Sequence, residues 1–203
     1  VDGKYDFIVG NPPWIDWKSL PDGYRDSLKV ASVEQHVFSG DTFTGGINLN
    51  ICALISNVVA DNWLAPNGIM GLLMPKSIAF QQTYAGFRNL VQVRSGNLVF
   101  NEFIDWTKSG NPFKPVTEKF MTYYFQKADA NVNDFIPVLS YEKKRGENIF
   151  DSSVRSYDSM KQKFDVIKKV AYTASVKFNN FTITEESKIE LVPAMKQIAG
   201  ISQ

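Results

Sequence analysis

At 203 residues, with 44% hydrophobic and 13% aromatic residues, the chain is long enough to bury a sizeable core and too apolar to be disordered. Its formal charge of +1 provides no global basic field, so any contact with nucleic acid must come from local patches. The single cysteine, Cys52, excludes an intrachain disulfide and suits a reducing cytoplasm; the single histidine, His36, excludes a His-based zinc cluster; and no apolar stretch reaches membrane-spanning length.

In chain order, Tyr5 to Val9 predicts a buried strand, and Asn11-Pro12-Pro13-Trp14 follows it directly. Ile15 to Gly46 reads as a long polar loop with one short helix around Gly23 to Val30. Asn48 to Trp63 places Leu49, Cys52, Ala53, Ser56, Val59, Ala60 and Trp63 at helical spacing, and Pro66-Asn67-Gly68 supplies turn chemistry after it. Ile69 to Met74 is continuously apolar, as an interior parallel strand should be, and Thr83 to Val93 predicts a helix. Leu98 to Trp106 and Lys119 to Lys127 read as strands, the second as part of an antiparallel pair at a sheet edge. After Ala128 to Asp134 the texture changes, with a strand over Phe135 to Tyr141, the cluster Lys143-Lys144-Arg145, and a helix near Ser156 to Ala171. Residues 1–130 are therefore expected to form one unit, and residues 131–203 a linker or extension, or else the start of a target-recognition region.

The elbow after the first strand carries the chemistry. Asn11 offers a carbonyl acceptor and an amide donor, and Pro12 a main-chain carbonyl with no N–H of its own, so two acceptors can converge on one exocyclic NH2. Accepting both N–H bonds favours a pyramidal nitrogen whose lone pair points at an electrophile. Pro13 restricts Pro12 to extended geometry, and Trp14 presents an indole face for a heteroaromatic ring. The plainer alternative is a strand-ending turn followed by a core aromatic.

Lys4-Tyr5-Asp6-Phe7-Ile8-Val9-Gly10-Asn11-Pro12-Pro13-Trp14 resembles the catalytic motif of N6-adenine DNA methyltransferases of type I and type IIG restriction-modification systems. The helix, turn and strand from Asn48 to Met74, ending in Pro75-Lys76-Ser77, are similar to the same family, and the likeness covers roughly the first 130 residues. The resemblance implies an α/β fold, namely the C-terminal half of a Rossmann-like sheet, mixed, mainly parallel with an antiparallel edge strand, plus a C-terminal α+β extension. It also implies S-adenosylmethionine as cofactor, no metal, double-stranded DNA as partner, and in-line transfer to an adenine rotated out of the duplex. Asn11, Pro12, Pro13 and Trp14 would be catalytic, with Asn11 and Pro12 also facing the cofactor. The family's glycine-rich cofactor loop normally precedes this motif, and Thr44-Gly45-Gly46-Ile47 follows no convincing strand. We therefore expect a piece of a longer enzyme that joins a missing N-terminal portion, with an exposed sheet edge open to homodimerisation.

Lys76 and Ser77, at a strand end, are candidates for the pocket mouth. In the loop Thr107 to Pro115, Lys108 and Lys114 are candidates to meet phosphates and Phe113 to stack on a base, or else Phe113 covers the local core. Cys52 reads as core, the basic cluster at 143–145 as solvated, and Asp16 and Asp41 as loop carboxylates without a visible partner. The elbow alone also fits methylation of guanine N2 in ribosomal RNA or of a protein glutamine, and a catalytically silent target-binding module stays open.

Overall fold

The computed structural model describes residues 4–35, 37, 49–89, 91–93, 95–111, 113, 115–128, 135–149, 151–152, 154–173 and 181–191. Its strands are β1 (Tyr5–Gly10), β2 (Leu64–Pro75), β3 (Val91–Val93), β4 (Gly96–Asp105), β5 (Phe120–Lys127), β6 (Phe135–Lys143), β7 (Phe164–Thr173) and β8 (Phe181–Glu185). They form one eight-stranded sheet in the order β1-β2-β5-β4-β6-β7-β8, with β3 paired to β4. β1 is parallel to β2 and β4 is parallel to β6, while the other pairs are antiparallel. The helices are α1 (Asp22–Glu34), α2 (Ile51–Trp63) and the short α3 (Ser77–Phe80), α4 (Ala85–Asn89) and α5 (Tyr157–Lys161). This is the mixed α/β sheet expected from the sequence, and the segment after residue 130 adds β6, β7 and β8 to it.

Alternation along the strands explains the core. Met70, Leu72 and Met74 on β2 lie opposite Phe125, Tyr123 and Met121 on β5, so one face presents six large buried side chains. α2 packs Cys52, Ala53 and Ala60 into the same cluster, which Phe103, Val138 and Ala171 extend across the sheet. Asn50 starts that helix by accepting from the Cys52 N–H at 3.3 Å. At the helix end the Lys127 ammonium donates to the carbonyls of Ala60 (3.1 Å) and Leu64 (3.2 Å), a cation placed where the helix leaves acceptors unsatisfied. On the opposite face Gly71 admits the Tyr124 ring, for a Cβ at position 71 would lie 2.8 Å from it.

Several elements differ from the sequence reading. β1 is an edge strand with Phe7 76% and Val9 84% exposed, not a buried strand, because its outer edge meets no described element. β5 lies between β2 and β4 rather than at an edge. The Pro66-Asn67-Gly68 chemistry appears inside β2 as an irregularity: pairing jumps from Tyr5↔Leu64 to Phe7↔Ile69, with Asn67 at φ 62°. The expected loop after the elbow contains a 3-10 turn at Trp17–Ser19 and the full-length α1. The expected helix over 83–93 is split into a 3-10 turn at Gln82–Tyr84, α4 and β3. The expected helix near 156–171 is α5 followed by β7, since the capping box at Ser156 starts a helix but Val166, Ile167 and Val170 pair with β6. His36, Asp41, Gly45, Gly46 and Lys114 lie outside the described residues.

Among the described residues no helix is long and apolar enough to cross a membrane. The exposed apolar edge predicts that this 203-residue segment associates as its concentration rises. Val9→Lys should weaken that association several-fold without unfolding the sheet, and sedimentation velocity across a concentration series measures it. Burial pushes the Cys52 thiol pKa well up. Iodoacetamide at pH 8 should therefore leave Cys52 unmodified in the folded protein and label it in urea, as read by intact mass.

Candidate active site

The site lies at one rim of the sheet, where β1, β2 and β4 end and β5 begins. Asn11 follows the last residue of β1 and is exposed, Pro12 is buried, and Trp14 is half-buried. The elbow is thus open to solvent at its carboxamide and anchored at its proline. Trp14 is pinned at its edge, where Nε1 donates to the Leu73 carbonyl at 3.1 Å. Two aromatic rings complete its seat: Phe113 meets it edge-on at 6.0 Å and 73°, and Phe120 lies tilted at 5.8 Å.

Beside Trp14 opens a cavity of about 310 Å³, also lined by Asp16, Asn50, Ser77, Gln81, Tyr84 and Glu118. That volume is at the small end of ligand sites and suits one heteroaromatic ring rather than a long ligand. Its charged lining is the Asp16 and Glu118 carboxylates. Asn50 joins Asp16 (Nδ2 to Oδ1, 3.4 Å), and its N–H donates to the Tyr84 hydroxyl at 2.9 Å. Burial, then the neighbouring Cys52, pushes the Tyr84 phenol pKa up, so it stays protonated and keeps a hydrogen to donate. Arg88 shapes the far wall by donating to the carbonyls of Ile78 (2.6 Å) and Gln81 (2.7 Å). Burial lowers its pKa to about 10, which leaves it charged at neutral pH. The arrangement can hold a flat ring against indole and accept from its N–H groups.

The predicted residues do not all converge. Trp14 and Ser77 line the cavity, and Phe113 touches Trp14 while packing at 5.3 Å on Phe120, so it joins the site and covers the local core at once. Lys76 does not line it. Its ammonium donates to Asp105 Oδ2 at 2.7 Å and Thr107 Oγ1 at 2.9 Å, beside the Phe80 ring. Lys108 is exposed and paired with Glu142 at 2.9 Å, away from the cavity lining. Asp16, Asn50, Gln81, Tyr84, Glu118 and Asp105 enter only through the fold. Asp16 and Asn50 are distant in sequence and meet through an isolated bridge, which no local pattern announces.

Asp105 is buried at the end of β4. Burial alone would raise its pKa, but hydrogen bonds from Lys76 and from the Thr107 hydroxyl and N–H outweigh that and hold it below the ordinary value of 3.8. A depressed folded-state pKa means that this group stabilises the fold fully above pH 3.8 and progressively less as pH falls through the folded value. Asp105→Asn should therefore lower the urea midpoint at pH 7, and its deficit against the parent should shrink below pH 3.8.

The described residues hold no cluster of metal-ligating side chains. Nor do they offer a glycine-rich turn between a strand and a following helix.

A family model described as Eco57I restriction-modification methylase matches residues 1–113, more than half of the chain. Among solved structures, the chain is similar to one assigned as a modification subunit of a type I restriction enzyme from Vibrio vulnificus YJ016. The TM-score is 0.52 at 10% identity, covering 94% of this chain and 40% of that one. It also matches the type I restriction-modification system methyltransferase subunit from Streptococcus thermophilus, with TM-score 0.45 and 15% identity over 83% of this chain and 35% of that one. The type IIG restriction endonuclease BpuSI matches with TM-score 0.45 and 16% identity over 68% of this chain and 15% of that one. The chain thus spans less than half the length of each of these proteins. No curated protein matches it.

Proposed function

Because the chain belongs to the Eco57I restriction-modification methylase family, we propose that it supplies the target-amine half of a DNA methyltransferase acting on N6 of adenine. The observation that carries this reading is the Asn11-Pro12-Pro13-Trp14 elbow at the carboxyl end of β1, with Asn11 exposed and Trp14, alone of the four, lining a cavity of single-ring size. In this role Asn11 and the Pro12 carbonyl accept the two amine hydrogens, and Pro13 keeps the corner stiff. Trp14, held by Leu73 and flanked by Phe113, receives the ring of a base turned out of the duplex. The amine nitrogen keeps its lone pair directed out of the ring plane, so positioning rather than a strong base prepares it.

S-adenosylmethionine, the methyl donor implied by the family, supplies the methyl group when bound. Asn11 and Pro12 are the residues assigned toward it. Guanine N2 and glutamine amides fit the same elbow, but membership of a restriction-modification family favours DNA.

In the complete enzyme, Asn11→Ala should lower transfer of labelled methyl groups to DNA by about 100-fold or more, the scale of losing one positioned polar contact. Digestion of the methylated DNA and mass spectrometry should show N6-methyladenine. Undiminished transfer by the variant, or a methylated base other than adenine, overturns the reading.

A further inference from the structure

Lys76 reaches both ends of one loop. Its ammonium holds the start, at Asp105 Oδ2 (2.7 Å) and Thr107 Oγ1 (2.9 Å), while its backbone N–H holds the finish, donating to the Lys119 carbonyl at 2.8 Å. Thr107 is drawn to the same carboxylate through its N–H (3.0 Å) and hydroxyl (2.5 Å). Between these anchors the chain from Trp106 to Glu118 carries Phe113 to the edge of Trp14, and Val116 and Glu118 to the cavity wall. Short-range bonds join Ser109 N–H to Trp106 O (3.0 Å), Phe113 N–H to Asn111 Oδ1 (2.9 Å) and Val116 N–H to Phe113 O (2.7 Å). Such bonds fold the loop on itself without fixing where it sits over the site. The first residues of the loop are also held to the sheet, where Trp106 Nε1 donates to Thr122 Oγ1 at 2.9 Å and the Lys108 carbonyl accepts from the Lys143 N–H at 3.0 Å, so the part whose placement rests on the Lys76 anchors and on Phe113 is the stretch that follows them.

We propose that the Lys76–Asp105 ion pair is a positioning device for methyl transfer, clamping the 106–119 loop so that Phe113 closes the side of the slot where the target base lies on Trp14. This rests on the methyltransferase reading. Lys76 and Asp105 act through the loop and touch no substrate. The pair is suited to the task because Asp105 is buried with both carboxylate oxygens engaged, so neutralising either partner strands the other. It also spans strands far apart in sequence, linking the end of β2 to the end of β4.

The test uses the complete enzyme and three readouts: hydrogen–deuterium exchange over residues 106–119, steady-state methylation of a duplex carrying adenine at the target position, and the fluorescence of a second duplex in which 2-aminopurine, which has no N6 amine to methylate, replaces that adenine. Asp105→Asn and Lys76→Met should each speed exchange of the loop at least tenfold. They should lower kcat and the 2-aminopurine fluorescence rise at least fivefold, with KM for S-adenosylmethionine within twofold of the parent. Lys76→Arg, which keeps the ion pair, should recover most of the loop protection and most of kcat. Loop exchange within twofold of the parent in Asp105→Asn overturns the clamp; faster exchange with unchanged kcat overturns its link to the slot. Should Asp105→Asn fail to fold, Thr107→Val, which loses only the hydroxyl bonds, is read by the same criteria. If the parent enzyme methylates no DNA, the functional reading falls, while the exchange measurement still decides whether the ion pair holds the loop.

Discussion

Seven consecutive pairings between β2 and β5, from Ile69↔Gln126 to Pro75↔Phe120, position everything at the candidate site. This ladder brings the end of β2 level with the start of β5, so that Trp14, anchored to Leu73, lands beside Phe120. It also sets the Tyr123 hydroxyl within 2.9 Å of the Pro75 carbonyl, closing the last backbone acceptor of β2 inside the protein. Because β5 runs against its neighbours, the rim gathers the ends of some strands and the beginnings of others. A purely parallel sheet would have placed a long crossover where the short seat of aromatic rings now stands.

Three charged side chains taken into this interior are each given defined partners. Arg88 ties down the turn that carries Ser77 and Gln81, Lys127 closes the end of α2, and Asp105 joins two strand ends. None of these contacts contributes through charge alone, since a buried ion pair gives back much of its attraction as lost hydration. Their value is geometric. Arg88 and Asp105 steer segments that carry cavity-lining side chains, whereas Lys127 fixes the junction of α2 and β2, away from the cavity.

What could be read from the sequence divides along the same line. The elbow was legible because its chemistry is local: four adjacent residues specify a corner, and the apolar run before it specifies a strand end. α2 and the interior strands were legible because periodicity reports burial. Non-local pairing was not. β7 mimics a helix in its spacing and becomes a strand only because β6 lies beside it. β1 resembles a buried strand in composition and is an edge in the fold. Lys76, expected at the pocket mouth from its position at a strand end, lines a neighbouring cavity rather than the one beside Trp14. Its partner Asp105 lies 29 residues away, and only the meeting of β2 and β4 at one rim shows that the two cancel each other's charge.

Tyr124 lies across Gly71 so closely that position 71 has no room for a methyl group while the ring stays in place. The two positions are therefore a linked pair in any natural history of this fold. A lineage that acquires alanine at 71 must first, or simultaneously, exchange the tyrosine at 124 for something slimmer, and sequences with a bulky residue at both places should be missing from the record of viable variants.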